Sequence, residues 1–330
     1  MKANAGQVSV ETNFQLCRKT FALTARYDAA ISNYLMGLNE EEGASFPLTY
    51  TVQYERKQLL RYGENPHQKA AFYGEYKVEE PSLTTAEQLW GKELSYNNIM
   101  DADAALELIM EFEQPGCVIF NRTIDAATAT EIGKAFTEVV IAPDYTAEAL
   151  AILEQKKNVR LLKVADILKG NAAKKGGLYT RKVAGGLLLQ ERDLGCADLD
   201  AAQVVTTRKP TSDEMEALKF AWRICKYVKS NAIVYADKNK LIGVGAGQMS
   251  RVDSSEIAVM KAAKAGHDTA GSVLASDAFF PFRDGIDAAA KAGATAVVQP
   301  GGSVRDDEVI AAANEHGMAM IFTGMRHFRH

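Results

Sequence analysis

Length, composition and charge set the first limits on this sequence. Its 330 residues are enough for about two domains, each with a sizeable core. Hydrophobic residues make up 47% and charged residues 24%, as in an ordinary soluble globular protein. The formal net charge of −4 excludes the basic footprint of a nucleic-acid-binding protein. No run of roughly 18 apolar residues is present to span a membrane.

The opening residues and the cysteines indicate a cytoplasmic protein. Residues 1–9 contain no apolar core of a secretory signal, so no leader is expected. Cys17, Cys117, Cys196 and Cys225 are widely spaced and form neither a CxxC pair nor a Cys/His metal-ligand pattern. We therefore expect free, mostly buried thiols in a reducing compartment.

The chain opens with an amphipathic helix. Over residues 11–38, apolar side chains recur mostly every three or four positions, which predicts a helix whose apolar stripe needs a partner surface. The polar, Gly-containing residues 39–45 follow as a linker.

Short apolar runs then alternate with helical stretches. Predicted strands cover residues 116–120, 138–142, 159–164, 186–190, 231–236, 240–244, 295–299 and 318–322. Predicted helices cover residues 100–113, 147–156, 212–229, 254–265, 285–292 and 306–316. The alternation indicates an α/β fold. The short connection between strands 231–236 and 240–244 predicts a hairpin, and therefore a mixed sheet.

Residues 61–68 (Arg-Tyr-Gly-Glu-Asn-Pro-His-Gln) form the first cluster with chemical potential. Gly63 and Pro66 disfavour helix and strand, so a loop presents Arg61, Tyr62 and His67 together. A guanidinium beside a phenol suits a phosphate or carboxylate. A solvated turn with an incidental histidine is the alternative.

Residues 243–251 (Gly-Val-Gly-Ala-Gly-Gln-Met-Ser-Arg) form the second cluster. Their glycine spacing differs from the GxGxxG dinucleotide fingerprint and follows a hairpin strand, which argues against a nicotinamide site. The glycines suit close approach of the backbone to a flat ligand, with Gln248, Ser250 and Arg251 as polar contacts. Asn231, at the start of the preceding strand, is expected nearby.

Three further segments lie toward the C-terminus. Residues 276–284 contain three phenylalanines interrupted by proline, so at least one ring is expected to be exposed and able to stack on a heterocycle, although core packing is the default for any single ring. Residues 300–303 precede a helix, so their N–H groups suit an anion, unless Asp306 and Asp307 simply cap that helix. Residues 325–330 are either a frayed tail or, if held by the preceding strand, a functional one.

In this order, the motifs resemble one protein family. The matching segments are residues 60–68, 94–98 (Leu-Ser-Tyr-Asn-Asn), 229–231, 245–251, 276–284 and 300–303. They closely resemble the bifunctional purine biosynthesis family, which joins IMP cyclohydrolase to 5-aminoimidazole-4-carboxamide ribonucleotide (AICAR) formyltransferase. The resemblance runs from about Gly6 to His330 and implies layered mixed sheets of the cytidine deaminase-like fold.

The family resemblance implies a reaction and its partners. The exocyclic amine of AICAR takes the formyl group of 10-formyltetrahydrofolate, which acts as co-substrate, and no metal is required. Because that amine is a poor nucleophile, the transfer needs a proton acceptor and stabilisation of an oxyanion. A cytoplasmic homodimer with sites at the subunit interface is implied, with neither nucleic acid nor membrane as a partner.

The resemblance also assigns roles to residues of this chain. Nucleotide-binding positions match Arg61, Tyr62, Glu138, Lys157, Asn231, Arg251, Phe279 and Arg326. Folate-side positions match Val252, Asp284, Ser303 and Val304. Asn231 also stands near the transferring formyl group and is a catalytic candidate, and His67 is the surviving histidine best placed to act as a base.

Two departures from the family stand out. Residues 1–45 resemble only the final cyclohydrolase helix and a linker, so cyclohydrolase activity is not expected. Residues 46–200 form a first formyltransferase subdomain, which is shortened after Ile119, and residues 201–330 form a second. The family's Lys-His-x-x-Pro-x-Gly stretch, which supplies the catalytic Lys-His pair, is missing after Ile119.

The missing pair leaves two functions open. One is a formyltransferase of very low turnover, and the other is an impaired homologue that serves only as a nucleotide- and folate-binding or dimerisation module. Retained binding residues favour ligand binding, whereas loss of the pair favours a non-enzyme. An unrelated nucleotide-binding protein fits less well because of the glycine spacing.

Overall fold

The computed structural model describes residues 6–38, 46–112, 120–167, 176–183 and 185–330. These residues form eight helices: α1 (Val10–Met36), α2 (Tyr96–Ile109), α3 (Ala126–Lys134), α4 (Ala147–Leu153), α5 (Ser212–Cys225), α6 (Arg251–Lys264), α7 (Asp284–Lys291) and α8 (Asp306–Glu315).

The same residues form thirteen strands. In the first half of the chain these are β1 (Glu55–Leu60), β2 (Ala70–Gly74), β3 (Glu87–Trp90), β4 (Val139–Ala142), β5 (Arg160–Lys163), β6 (Leu178–Val183) and β7 (Gly186–Glu191). In the second half they are β8 (Gln203–Val204), β9 (Ile233–Ala236), β10 (Leu241–Gly245), β11 (Val273–Ser276), β12 (Ala296–Gln299) and β13 (Ala319–Phe322).

The described residues divide into two compact units. The first unit takes in residues of Met1–Ala102, Ala126–Val140 and Ala147–Val164. The second takes in residues of Asp103–Asp125, Ile141–Thr146 and Ala165–His330. The division therefore passes through α2 and β4.

A six-stranded mixed sheet forms the centre of the second unit. Its strand order is β10-β9-β11-β12-β13-β8. Strands β11, β12 and β13 run parallel, whereas β9 pairs antiparallel with both β10 and β11. The predicted hairpin of β9 and β10 is thus confirmed, and so is the mixed α/β architecture.

The sheet of the second unit is covered by helices on both faces. Val234, Ala275 and Val298 point to one face and pack with α5, which contributes the buried Trp222. Neighbouring residues of the same strands, such as Tyr235, point to the other face and pack with α6, α7 and α8. Every residue of β9, β11 and β12 is buried, as expected for strands covered on both faces. Strands β9 and β12 were predicted from their apolar runs, whereas β11 was not.

The first unit contains two smaller sheets. Strands β1 and β2 form an antiparallel pair, and β3, β5 and β4 form a three-stranded sheet in that order. Buried Leu161 and Leu162 of β5 belong to its core, as does Leu153 of α4. Helices α3 and α4 contact one another. Helix α3 and strands β1 to β3 were not predicted from the sequence, because their apolar residues are few and irregularly spaced.

Helix α1 agrees with its predicted position but leaves most of its side chains exposed. Phe21 and Tyr27 are 70% and 67% exposed, respectively. Ser9 caps the helix by accepting a hydrogen bond from the Thr12 N–H at 3.1 Å. Within the first unit, Arg26 pairs with Glu55 at 3.1 Å, and Asn33 bonds both backbone groups of Thr51. Polar contacts thus hold part of the helix.

The cysteines only partly match expectation. Cys17, Cys196 and Cys225 are free thiols, as predicted, but only Cys225 is buried. The expectation of mostly buried thiols is wrong for Cys17, which lies on exposed α1, and for Cys196, which lies in a loop. Cys117 lies outside the described residues. Among the helices that are described, none combines the length and apolarity needed to cross a bilayer.

Candidate functional site

One edge of the six-stranded sheet collects most of the predicted site residues. Strands β10 to β13 all end at this edge. Strand β9 runs the opposite way and begins there, because Ile233 pairs with both Ser276 and Gly245. Helices α6, α7 and α8 start directly after β10, β11 and β12, so their N-termini lie at the same edge. The predicted residues collected there are Asn231, Arg251, Val252, Phe279, Asp284, Ser303, Val304 and Arg326.

Asn231 is fixed by the loop that precedes α6. Its backbone N–H and its side-chain Nδ2 both donate to the carbonyl oxygen of Gln248, at 3.3 and 3.0 Å. Its own carbonyl oxygen accepts from Ser254 Oγ at 2.8 Å. These bonds hold the carboxamide of Asn231 in one orientation beside the start of α6.

Arg251, the first residue of α6, is held by the end of β11. Its Nε donates to Ser276 Oγ and its Nη2 donates to Asp277 Oδ1, both at 3.2 Å. The Asp277 side chain is fully buried and that of Arg251 is only 12% exposed. A buried carboxylate thus neutralises this guanidinium.

The phenylalanine loop has one ring inside and one outside. Phe280 is buried in the core, and its N–H donates to Gln299 Oε1 at 2.8 Å. Phe282 is 47% exposed and lies 4.7 Å from the guanidinium of Arg305, measured to the ring centroid. The prediction of at least one exposed ring is confirmed. Phe279, the predicted nucleotide contact, is half-buried.

The loop before α8 uses its backbone N–H groups internally. The Gly302 N–H donates to Asp306 Oδ2 at 2.6 Å, and the Arg305 N–H donates to Ser303 Oγ at 3.1 Å. The Gly302 N–H is therefore bonded within the loop, and α8 begins after Arg305 with no side-chain capping hydrogen bond, so neither Asp306 nor Asp307 caps it. Val304 is fully exposed and Asp284, at the start of α7, is exposed as well.

The glycines of the second cluster serve packing. A Cβ atom on Gly245 would lie 1.7 Å from the Ser254 carbonyl oxygen, and one on Gly243 would lie 2.4 Å from that of Ala258. Both carbonyls belong to α6. The expectation that these glycines admit a flat ligand is thus wrong at these two positions, because the approaching backbone is that of α6. Ser250 caps α6 rather than standing free.

The C-terminal tail is held in place. The His327 N–H donates to the Asp277 carbonyl oxygen at 3.2 Å, and Arg329 exchanges two hydrogen bonds with Ser230 at 2.8 and 3.0 Å. His327 is buried with Nδ1 2.6 Å from Asp193 Oδ2. The tail is therefore not frayed, and the residues that hold it are Asp277, Ser230 and Asp193 rather than the preceding strand. Arg326 remains exposed, 4.3 Å from the Phe328 ring centroid.

Asp193 shows how the tail is anchored electrostatically. Burial acts to raise the pKa of Asp193, but the hydrogen bond and charge of His327 outweigh it and lower the pKa below its ordinary value. The carboxylate therefore stays ionised at neutral pH and keeps its bond to the tail.

The first unit carries the other predicted residues. Arg61, Tyr62 and His67 lie in the loop between β1 and β2, as predicted, and the loop is closed by a bond of 2.8 Å from the Gly63 N–H to the Gln68 carbonyl. The Arg61 guanidinium lies 5.7 Å from the Tyr62 ring centroid. His67 is exposed.

Glu138 and Lys157 complete the predicted set in the first unit. Glu138 is exposed, and its Oε2 lies 3.5 Å from Nδ2 of the buried Asn98. Lys157 lines an open cleft of about 550 Å³ together with residues 88–93.

A second cavity, in the second unit, was not predicted. It measures about 350 Å³ and is lined by cationic, acidic and aromatic side chains, but by none of the predicted site residues. Lys226 at its wall is buried and lies 3.4 Å from Glu111 Oε1, which also accepts a short hydrogen bond from the Tyr227 hydroxyl. Burial, together with the bond to Glu111, raises the pKa of Tyr227 well above its usual value. In the sequence, Lys226 and Glu111 look like ordinary surface charges.

Other functional candidates were missed at the sheet edge itself. Asp277, Ser230 and Gln299 are buried polar residues that orient Arg251, the tail and the phenylalanine loop. Asp277 and Ser230 belong to the motifs of residues 276–284 and 229–231, but no sequence pattern indicates that they bond to one another. Within the described ranges, no group of three or more His, Cys, Asp or Glu side chains is arranged as a metal site.

Comparison with known proteins identifies the family of this chain. The model of the family described as "AICARFT/IMPCHase bienzyme" matches residues 1–120 and 115–261. The "Bifunctional purine biosynthesis protein PurH" of Magnetococcus marinus is 52% identical, over an alignment that covers 100% of this chain and 70% of that protein.

The same comparisons locate the internal gap. The alignment with the relative is 376 positions long although this chain has 330 residues, so at least 46 positions of the alignment have no residue here. The two segments matched by the family model meet at residues 115–120. The sequence predicts the missing stretch after Ile119, which is the same place.

Proposed function

Because this chain belongs to the AICARFT/IMPCHase bienzyme family, we propose that it is an AICAR formyltransferase of purine biosynthesis with very low turnover. It binds AICAR and 10-formyltetrahydrofolate and acts in the cytoplasm as a homodimer with the cytidine deaminase-like fold. The observation that carries the proposal is the gathering of Asn231, Arg251, Phe279 and Asp284 at one sheet edge, in a chain with this ancestry.

The arrangement at the sheet edge suits a planar, polar nucleotide beside a second aromatic ligand. Asn231 and Arg251 are fixed by hydrogen bonds, so binding costs them little side-chain entropy. Half-buried Phe279 offers a ring to a heterocycle. Asp284, Val252, Ser303 and Val304 are proposed to contact the folate, and Arg326 the nucleotide phosphate.

In the proposed reaction one bond forms, one bond breaks, and one proton moves from the attacking amine to the leaving nitrogen. The exocyclic amine of AICAR forms a bond to the formyl carbon, and the bond from that carbon to N10 of the folate breaks. One proton leaves the amine and one is gained by N10. Arg251 and Asn231 are proposed to stabilise the oxyanion formed on the way.

Loss of the Lys-His pair limits the rate. General-base catalysis contributes roughly 10²–10⁴-fold and oxyanion stabilisation roughly 10²–10³-fold in typical enzymes. His67 is the proposed residual base, in the first unit.

The second candidate function is a non-catalytic nucleotide- and folate-binding or dimerisation module. The absence of the Lys-His pair favours it, whereas the preformed Asn231 and Arg251 contacts favour a ligand site over a purely structural role. The formyltransferase and the ligand-binding form of the module share binding and differ in turnover, whereas a dimerisation module need not bind either ligand.

The test combines binding with turnover. Calorimetry should detect AICAR binding to the wild-type protein, and absorbance should detect tetrahydrofolate release at a rate several orders of magnitude below that of the Magnetococcus marinus PurH. Asn231→Ala should abolish both signals, while Asn239→Ala, the same change in the turn at the opposite end of β9, should leave them unchanged. Binding without any release above background would favour the module. Absence of binding would contradict the formyltransferase and a ligand-binding module, and would leave only dimerisation.

A further inference from the structure

Asp277 is the buried carboxylate at the meeting point of four chain segments. It follows the last residue of β11 and its side chain is fully buried. Its Oδ1 accepts from Arg251 Nη2 at 3.2 Å, and its Oδ2 accepts a short hydrogen bond from Ser230 Oγ. Its backbone N–H donates to the Ala232 carbonyl at 3.4 Å. A single side chain thus touches both segments that carry Asn231 and Arg251.

The two carboxylate oxygens face two donors. Ser230 Oγ accepts from the Arg329 N–H at 3.0 Å, so its own hydrogen is directed to Asp277. The guanidinium of Arg251 is always a donor. An amide in place of Asp277 would offer one oxygen and one NH₂ group, and the NH₂ group would then face a donor. The site therefore requires a carboxylate rather than any polar side chain of the same shape.

The same carboxylate controls the direction of Arg251. The Arg251 Nε is bonded to Ser276 Oγ, whose hydrogen donates to the Ala278 carbonyl at 2.8 Å. Because Nε and Nη2 are both bonded at the end of β11, the plane of the guanidinium is fixed. The directions of its other N–H groups are fixed with it.

We propose that Asp277 is a positioning residue, which fixes Arg251 and the Ser230-Asn231 segment so that together they recognise the carboxamide of the nucleotide. This inference rests on the proposed function for its ligand, and on the geometry of Asp277 alone for the orientation of Arg251. Asp277 itself does not contact the ligand.

The first experiment measures ligand preference. Calorimetry gives the Kd of AICAR and of 5-aminoimidazole ribonucleotide, which lacks the carboxamide, for the wild type and for Asp277→Asn. The wild type should prefer AICAR, and Asp277→Asn should reduce that preference by about tenfold or more. Glu214→Gln is the control, because it breaks the Arg208–Glu214 pair, which belongs to the same unit but to other elements. This variant should lose some unfolding free energy and still keep the preference for AICAR.

The second experiment needs no ligand. Exchange of the Arg251 Nε–H with solvent, followed by NMR, should be slow in the wild type and in Glu214→Gln, and about tenfold faster or more in Asp277→Asn. Unchanged exchange in Asp277→Asn would overturn the proposal. If the wild type prefers AICAR and Asp277→Asn keeps the same preference, the proposal is overturned as well. If the wild type binds neither nucleotide, the proposed function and the carboxamide role both fail, while the exchange rate still decides whether Asp277 positions Arg251.

Discussion

Glu214 has two tasks at the start of α5. Its carboxylate accepts two hydrogen bonds from Arg208, at 2.8 and 2.9 Å, and a third from the Thr211 N–H at 2.8 Å, which completes a capping box. Burial alone would raise the pKa of Glu214, but the bonds from Arg208 and Thr211 outweigh it and lower the pKa to about 2. The folded state therefore favours the ionised form.

Acid should destabilise the protein through this carboxylate. Since the folded pKa of about 2 lies below the ordinary value of 4.5, the contribution of Glu214 is complete above pH 4.5 and is lost as the pH falls from there toward 2. Glu214→Gln should cost about 1–2 kcal/mol of unfolding free energy at pH 7. The variant should also lose less stability than the wild type between pH 5 and about pH 3.

Urea unfolding at several pH values measures both effects. Glu216→Gln is the matched control, because Glu216 lies on the exposed side of the same helix and should change the unfolding free energy by less than about 0.5 kcal/mol. Equal acid sensitivity in Glu214→Gln and the wild type would contradict the assignment.

At the scale of elements, the contact between α6 and β10 depends on glycine. Gly245→Ala would place a Cβ atom 1.7 Å from a backbone oxygen of α6, and backbone cannot yield as a flexible side chain can. We expect a loss of about 3 kcal/mol or more, since α6 must move away from the sheet. Because Arg251 starts α6, AICAR binding should weaken as well.

Gly195→Ala is the control for this substitution in the same unit. Its added Cβ atom would meet Met325 at 3.5 Å, an ordinary contact distance, so the unfolding free energy should change by less than about 0.5 kcal/mol. Chemical denaturation compares the two variants. A Gly245→Ala variant as stable as Gly195→Ala would show that α6 does not approach β10 so closely.

At the scale of the whole molecule, we expect the backbone amides to differ widely in their protection against hydrogen exchange. Strands β9, β11 and β12 are buried at every residue and lie inside the six-stranded sheet. The β6–β7 hairpin is a two-stranded sheet with mostly exposed side chains, and α1 is exposed along most of its length. Isolated hairpins are marginally stable at best in water.

Amide hydrogen exchange tests this distribution. The amides of β11 and β12 should exchange more slowly than those of the β6–β7 hairpin by a factor of roughly 1,000, equivalent to about 4 kcal/mol. Mass spectrometry of peptides from both regions gives the comparison. Similar protection in the hairpin and in β11 would mean that the hairpin is stabilised by something other than its own pairing, such as a second copy of the chain.

The sequence by itself determined the helices of the second unit, its strands other than β6, β8 and β11, the β9–β10 hairpin, the family, and the place of the internal gap. These features depend on local periodicity or on contiguous motifs, so they can be predicted without knowing which distant residues are in contact. The buried strands β9, β12 and β13 were found because their apolar runs are continuous.

Only the tertiary structure decided which polar residues are buried together and what the glycines are for. Asp277 bonds Arg251 and Ser230, and Lys226 bonds Glu111, across separations of 26, 47 and 115 residues. Likewise, Gly243 and Gly245 are explained by the backbone of α6 and not by a ligand. The physical reason is that burial and hydrogen-bond partners depend on which elements become neighbours. Periodicity shows only how apolar and polar residues are distributed between the faces of a single element.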